Sequence, residues 1–462
     1  MKMSEIISKM DGLYEFDREP VSQDRLQKGR RFAGLFAGEH VAATEFVIGA
    51  FFVLHGVKLY DLLLGLLIGN LLAVLSWAFI CAPIATRTRL TLYWYLRRIA
   101  GPGLNLIYNI ANAVLYCILA GAMIAVSATA VGLLFNIKIP APNDILPPSL
   151  SWVVLTMAIG LIFTLLAVLG FERLSKFAQF FSPLIFIVFI AGAAVMLPRL
   201  GVQPDWSNLI EVAQTKIWNG VAEAGQEPFG MWHILFFAWF CNLAMHIGLS
   251  DMALFRYAKR WTYGFYSAFG MYLGHFVAWI CSGIMVAAVA RDMHPGLMAY
   301  EALGIAGAIG VFIAGWTTAN PTLYRAGLAF QAVTPNWPRW KVTLSAGLLT
   351  TVLSSFPVFF MKLLDYVAIY GLVLMPIGAV VFAEFWILPA LGLTQYRAEK
   401  EGWFLNWRAL ATWLGTLGAC FLLPIHLYFK WLPGYFISLF LYTGLQYVRG
   451  LNKTRTITGR SA

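Results

Sequence analysis

Three ionisable side chains, Glu39, His40 and Glu45, fall inside the apolar stretch from Phe32 to Leu54. A charged group near the middle of a bilayer costs about 2.5–3.5 kcal/mol on insertion scales, so such residues are expected to face a bundle interior or a watery cavity. Small residues flank them, with Gly34 and Gly38 before and Ala42, Ala43 and Thr44 after. A hydrophobic segment interrupted at mid-depth exposes backbone groups and half-helix ends to a solute and a coupling ion.

Two further stretches carry comparable chemistry. In MWHILFFAWFCNLAMHIGLS, residues Trp232, Phe236, Trp239, Asn242 and His246 recur at helical spacing and gather on one face. Aromatic rings that end in an amide and an imidazole suit a planar polar ligand, although the same stripe also serves packing. In IAGWTTANPTLYRAGLAF, Pro321 lacks a backbone donor and frees a carbonyl about one turn earlier. Thr317 and Thr318 supply hydroxyl oxygens there, for a hard monovalent cation or for bonds back to their own helix. Asn109, Asn112 and Tyr116 share a third polar face, open to interhelical hydrogen bonding or to a substrate wall. His275, Pro376, Gly378 and Glu384 read as structural or gating residues, Glu384 with Arg397 as an ion pair.

The elements that must position these groups are membrane helices. Of 462 residues, 60% are hydrophobic and only 12% charged. Twelve windows are long enough to span about 30 Å of hydrocarbon. They start near Phe32, Asp61, Leu104, Leu150, Phe177, Met231, Tyr263, Ala302, Val342, Leu363, Trp407 and Trp431. The net charge of +11 is not spread as nucleic-acid binding would require. Arg30, Arg31, Arg87, Arg89, Arg97, Arg98, Arg256, Lys259, Arg260, Arg339 and Lys341 fall on one side, against single cations such as Lys58, Lys138 and Lys430 on the other. This asymmetry puts both termini in the cytoplasm of a cell-membrane protein. The polar first 31 residues contain no apolar run, so no cleavable signal peptide is expected. Cys81, Cys117, Cys241, Cys281 and Cys420 have no metal-type spacing and predict neither a disulfide framework nor a zinc site.

The expected organisation is a cytoplasmic lead over 1–31 and a first five-helix unit over 32–197. An outer loop over 198–230 caps the mouth and a second five-helix unit covers 231–390. Two peripheral helices over 391–448 and a tail over 449–462 complete it. The first and sixth windows, both interrupted, would stand at corresponding positions of two inverted repeats.

Four stretches in this order resemble the nucleobase:cation symporter-1 family, which includes purine-cytosine permeases and allantoin and hydantoin transporters. SDMALFRYAKRW is similar to the family's Ser-Asp-x-x-Arg-Tyr stretch with two extra residues, anchored by Asp251, Arg256 and Tyr257. WTTANPTLYRAGLAF resembles the eighth-helix segment of cytosine permeases. TRTRLTLYWYLRRIAGPG sits where the family has a Thr-Gly-containing loop, and FAEFWILPALGLTQYR resembles the ending of the tenth helix.

The resemblance implies an all-α integral membrane protein of twelve helices with the LeuT-type 5+5 inverted repeat plus two peripheral helices, working by alternating access. It implies a coupling cation, usually sodium, held by Gly38, Val41, Thr317 and Thr318, with the acidic site able to carry a proton instead, and no other metal. It places a small heterocyclic solute among Tyr116, Trp239, Asn242 and Asn320, to which the polar break in the first window adds Glu39 and His40. Glu39 and His40 are not part of the family pattern, Tyr116 stands where a tryptophan is common, and Ala319 where an asparagine often follows the hydroxyls.

The expected activity is secondary-active import of a purine, cytosine, allantoin or hydantoin-like solute, by a chain working as a monomer in contact with membrane lipid. Proton-coupled or uncoupled transport of another small heterocycle, cationic or a vitamin precursor, is the alternative, followed by a non-transporting receptor. Nothing in the sequence pairs a nucleophile with a base, so no enzyme is expected.

Overall fold

The computed structural model describes residues 15–458 apart from 142–143, 290–293, 335–336 and 359–362. The first fourteen residues of the lead and the last four of the tail lie outside the described residues. The described chain is helical and runs α1 Gly29–His40, α2 Glu45–Leu54, α3 Leu59–Thr88, α4 Leu92–Leu134, α5 Leu150–Val168, α6 Phe171–Leu200 and α7 Trp206–Val212. It continues with α8 Met231–Phe240, α9 Leu243–His246, α10 Met252–Phe255, α11 Trp261–Ala288, α12 Pro295–Leu303, α13 Ile305–Gln331, α14 Arg339–Ser354, α15 Leu363–Phe382, α16 Trp407–Leu422 and α17 Trp431–Thr458.

Six of the described helices are individually long and apolar enough to cross a membrane, and α1 with α2 forms one further, bent span. The remaining expected windows lie on helices that are shorter, such as α8, or more polar, such as α13. Apolar side chains such as Phe180, Phe421 and Phe440 face outward while Arg256 and Arg325 are wholly buried. Inverting the usual arrangement of a water-soluble chain in this way is what a lipid solvent selects. The protein is a multi-pass membrane protein.

Two interruptions organise the bundle. Between α1 and α2 the axis bends by 49° across residues 41–44, and Val41 leaves helical geometry at φ −102°, ψ 62°. Between α8 and α9, Cys241 is extended and Asn242 is left-handed at φ 61°. Asparagine tolerates that conformation better than a branched or bulky residue would. The interruptions expected from the first and sixth windows are therefore present, the second of them at Cys241 and Asn242.

Long contacts bring these breaks to the middle. The helix α13 packs along α4, α1 lies against α6, α2 against α11, and α8 against α3. Gly34 allows the close approach of α1 to α6, since a Cβ there would meet Gln179 Cα at 2.5 Å, and Gly38 sits one turn on, where a Cβ would meet Ala178 Cβ at 3.2 Å and Thr317 Cβ at 3.4 Å. In α3 a single π turn over Trp77–Cys81 rotates the Trp77 indole into the core, a device common beside functional sites.

The two ends are closed by different segments. At the α1 start, the Glu15 carboxylate accepts from the hydroxyls of Tyr257 at 2.7 Å and Tyr324 at 2.8 Å and from the Phe171 amide at 3.2 Å. Arg256 donates to the Glu15 carbonyl at 2.6 Å, and Arg18 reaches the carbonyls of Gln331 and Thr334 at 3.3 and 3.2 Å. At the opposite end the loop after α7 is tied to the α2–α3 turn through Glu223 N–H to Leu54 O at 2.9 Å and Phe229 N–H to His55 O at 3.0 Å.

Candidate functional site

A buried charge cluster lies beside the first break. Arg325 of α13 donates one guanidinium nitrogen to Glu39 Oε1 and the other to Asp251 Oδ1, the latter at 2.5 Å. Trp77 donates its indole N–H to Asp251 Oδ2 at 2.8 Å. Two carboxylates share one guanidinium, and the Oε2 atom of Glu39 has no hydrogen-bond partner among the described residues. Arginine suits this place because its planar fork serves two carboxylates at once and keeps its proton when buried. The sequence reading singled out Glu39 and Asp251 separately but missed Arg325, the group that joins them. The signal was present: an arginine inside a predicted span needs a buried acid.

Next to this cluster, α1 presents carbonyl oxygens to α13. Thr318 Oγ1 lies 3.4 Å from the carbonyls of Gly38 and Glu39 and 3.1 Å from Ala314 O, while Thr317 Oγ1 lies 3.0 Å from Ala314 O. A hydroxyl carries one proton, so three carbonyl acceptors around Thr318 exceed what it can serve. The threonines thus bond back to their own helix, and Thr318 also crosses to the broken one. Such an oxygen-rich, acceptor-surplus pocket suits a hard monovalent cation. Ala314 was not anticipated; Val41 stands at the unwound turn, with its own amide bonded to Ala37 O.

A cavity of about 50 Å³ opens where α1, α2, α4, α8, α9, α13 and α15 meet, lined by Glu39, Glu45, Asn242, Thr318 and Phe240 among others. The structure therefore brings together Glu39, Asn242 and Thr318. Typical ligand pockets run to about 300–1,000 Å³, so this form is closed tightly around the cavity.

The other expected solute contacts are placed elsewhere. His40 Nδ1 bonds to Phe36 O at 2.7 Å, and its ring packs against Trp77 and His275 at 5.3 and 5.2 Å. Trp239 donates to Ser76 Oγ at 2.9 Å and meets Trp431 edge-on at 4.7 Å, facing α3 and α17. Tyr116 donates to Ser250 and lies 6.0 Å under the Arg325 guanidinium. Asn320 is buried with neither side-chain atom hydrogen bonded among the described residues. Glu384 accepts from Tyr442 at 2.6 Å and from the Tyr396 amide at 2.9 Å, and its carboxylate forms no ion pair with Arg397 among the described residues. The five cysteines are all buried and free.

No family model and no curated protein sequence matches the chain. Solved structures do match. Mhp1, a nucleobase-cation-symport-1 family transporter in a closed conformation with bromovinylhydantoin bound, aligns with a TM-score of 0.73 at 17% identity over 96% of each chain. A substrate-bound, outward-open Na+-coupled sialic acid symporter aligns at 0.66 and 12% identity over 96% of each chain. MhsT in complex with L-phenylalanine aligns at 0.54 and 16% identity, over 92% of this chain and 99% of that one. The chain has the fold of these transporters, the LeuT-type fold, over 92–96% of its length.

Proposed function

We propose that this chain, folded like those transporters, is a cation-coupled symporter of the nucleobase:cation symporter-1 type. It imports a nucleobase or related nitrogen heterocycle by alternating access across the cell membrane, with both termini in the cytoplasm. The observation that carries this reading is Thr318, whose hydroxyl faces the α1 carbonyls and whose residue also lines the central cavity. One residue thus belongs to both the oxygen-rich pocket and the solute cavity.

In this mechanism a sodium ion is a co-substrate held by carbonyls of α1 and α13 and by the hydroxyls of Thr317 and Thr318. Bridging the broken helix to α13, it favours the conformation in which Glu39 and Asn242 border one cavity. Ion and solute then raise each other's affinity, as linkage requires. The cavity opens to admit a ring and closes around it.

The test is uptake and binding in proteoliposomes of purified protein, across a panel of nucleobases, hydantoins and allantoin, with imposed sodium or choline gradients at several pH values. Uptake driven by sodium supports the assignment. Uptake in choline driven by a pH gradient would move the coupling to protons, and no uptake under any gradient would defeat it.

A further inference from the structure

Glu45 opens α2 directly after the unwound turn and borders the cavity. Its carboxylate is buried, accepts from the Trp279 indole and from Thr44 Oγ1 at 3.1 Å, and has no cationic partner among the described residues. Ser282 holds the Glu45 backbone carbonyl at 2.8 Å, so the residue is fixed against α11. A carboxylate offers about four lone-pair sites, and two donors leave capacity unused. The second observation is the unpartnered Oε2 atom of Glu39, also a cavity residue and also buried. No Lys, Arg or His lines the cavity among the described residues. The guanidinium of Arg325 is spent on Glu39 Oε1 and Asp251.

The cavity wall is thus rich in acceptors and lacks any cation, with Phe237 and Phe240 as ring surfaces. A buried carboxyl group without a cation either stays protonated or bears a large desolvation cost, and a cationic ligand lets it ionise as a paired group. We propose that Glu45 is the specificity-determining residue of this site and selects a cationic heterocycle, a ring with an amidine-type N–H edge protonated at neutral pH. The N–H donors pair with Glu45 and the free oxygen of Glu39, and the ring lies against the phenylalanines. Anionic solutes are rejected, and neutral imides bind less well. This inference rests on the transport reading above and assigns its solute class.

The test uses isosteric pairs that differ in charge, 2-aminoimidazole against imidazol-2-one and 2-aminobenzimidazole against benzimidazol-2-one. Binding to purified full-length protein at pH 7 in sodium is measured by calorimetry. Wild type should bind each amine at least about 10-fold more tightly than its oxo partner. Glu45→Gln should abolish that preference, and Glu45→Asp should retain it. Equal or tighter binding of the oxo partners to wild type overturns the inference while leaving heterocycle transport standing, and this readout needs no variant to fold. An undiminished amine preference in Glu45→Gln also overturns it. Silence from all four compounds together with the nucleobase panel overturns both readings.

Discussion

Arg325 and Asp251 meet at 2.5 Å through Nη2 and Oδ1, with both side chains fully shielded from solvent. This contact joins α13 to the turn after α9, and through Glu39 the same arginine joins both to the broken helix. Replacing Arg325 by Met strands two buried carboxylates. The expected loss is about 3–5 kcal/mol, the range for breaking a buried pair from one side. Thermal unfolding in detergent checks it, and adding Glu39→Gln with Asp251→Asn should recover part of the loss in a mutant cycle.

Thr318→Ala removes a hydroxyl set among three carbonyls. The sodium concentration for half-maximal uptake should rise about 10-fold, equivalent to about 1.4 kcal/mol of ion binding. An unchanged sodium dependence would take Thr318 out of the ion pocket.

Trp239 faces α3 and α17, so Trp239→Phe should cost about 1 kcal/mol of stability through the lost bond to Ser76 and leave solute affinity unchanged. A fall in affinity at constant stability would return Trp239 to the cavity wall.

Glu15 ties the lead to α6, α13 and the Arg256 turn. Glu15→Ala should release that segment locally, read as faster tryptic cleavage after Arg18 and Arg25 with the global unfolding temperature little changed.

At the opposite end, burial pushes the imidazoles of His55 and His426 below their ordinary range. The unfolded chain therefore takes up protons first as pH falls. Their contribution to stability is complete above the ordinary histidine value of about 6.5 and is lost as pH drops through the folded values. Unfolding temperature against pH should fall on the acid side, less steeply in the double variant His55→Gln, His426→Gln.

Much of this architecture was legible in local signals. The run of small and polar residues around Glu39 marked the first break, and the aromatic stripe ending at Asn242 marked the second, because helix interruption is written in nearby residues. Thr317 and Thr318 were singled out beside Pro321, although α13 runs through that proline without a break. Facing directions were harder to read. Trp239 and Asn242 share a helical face only while the helix continues, and the left-handed Asn242 rotates the amide away from the stripe. An arginine inside a predicted span announces a buried acid, but which acids it pairs with is not local information, because Glu39 and Asp251 lie 286 and 74 residues away.

That separation has a consequence for biosynthesis. Glu39 leaves the ribosome 286 residues before its guanidinium partner exists. The first span therefore enters the bilayer before Arg325 can pair with Glu39, with the anchoring charges of Lys28, Arg30 and Arg31 on its flank. The ion pair between Glu39 and Arg325 can form only after α13 has been made. The contact that holds the mature site together is thus a late one in synthesis, and α1 must persist without it while the intervening chain is made.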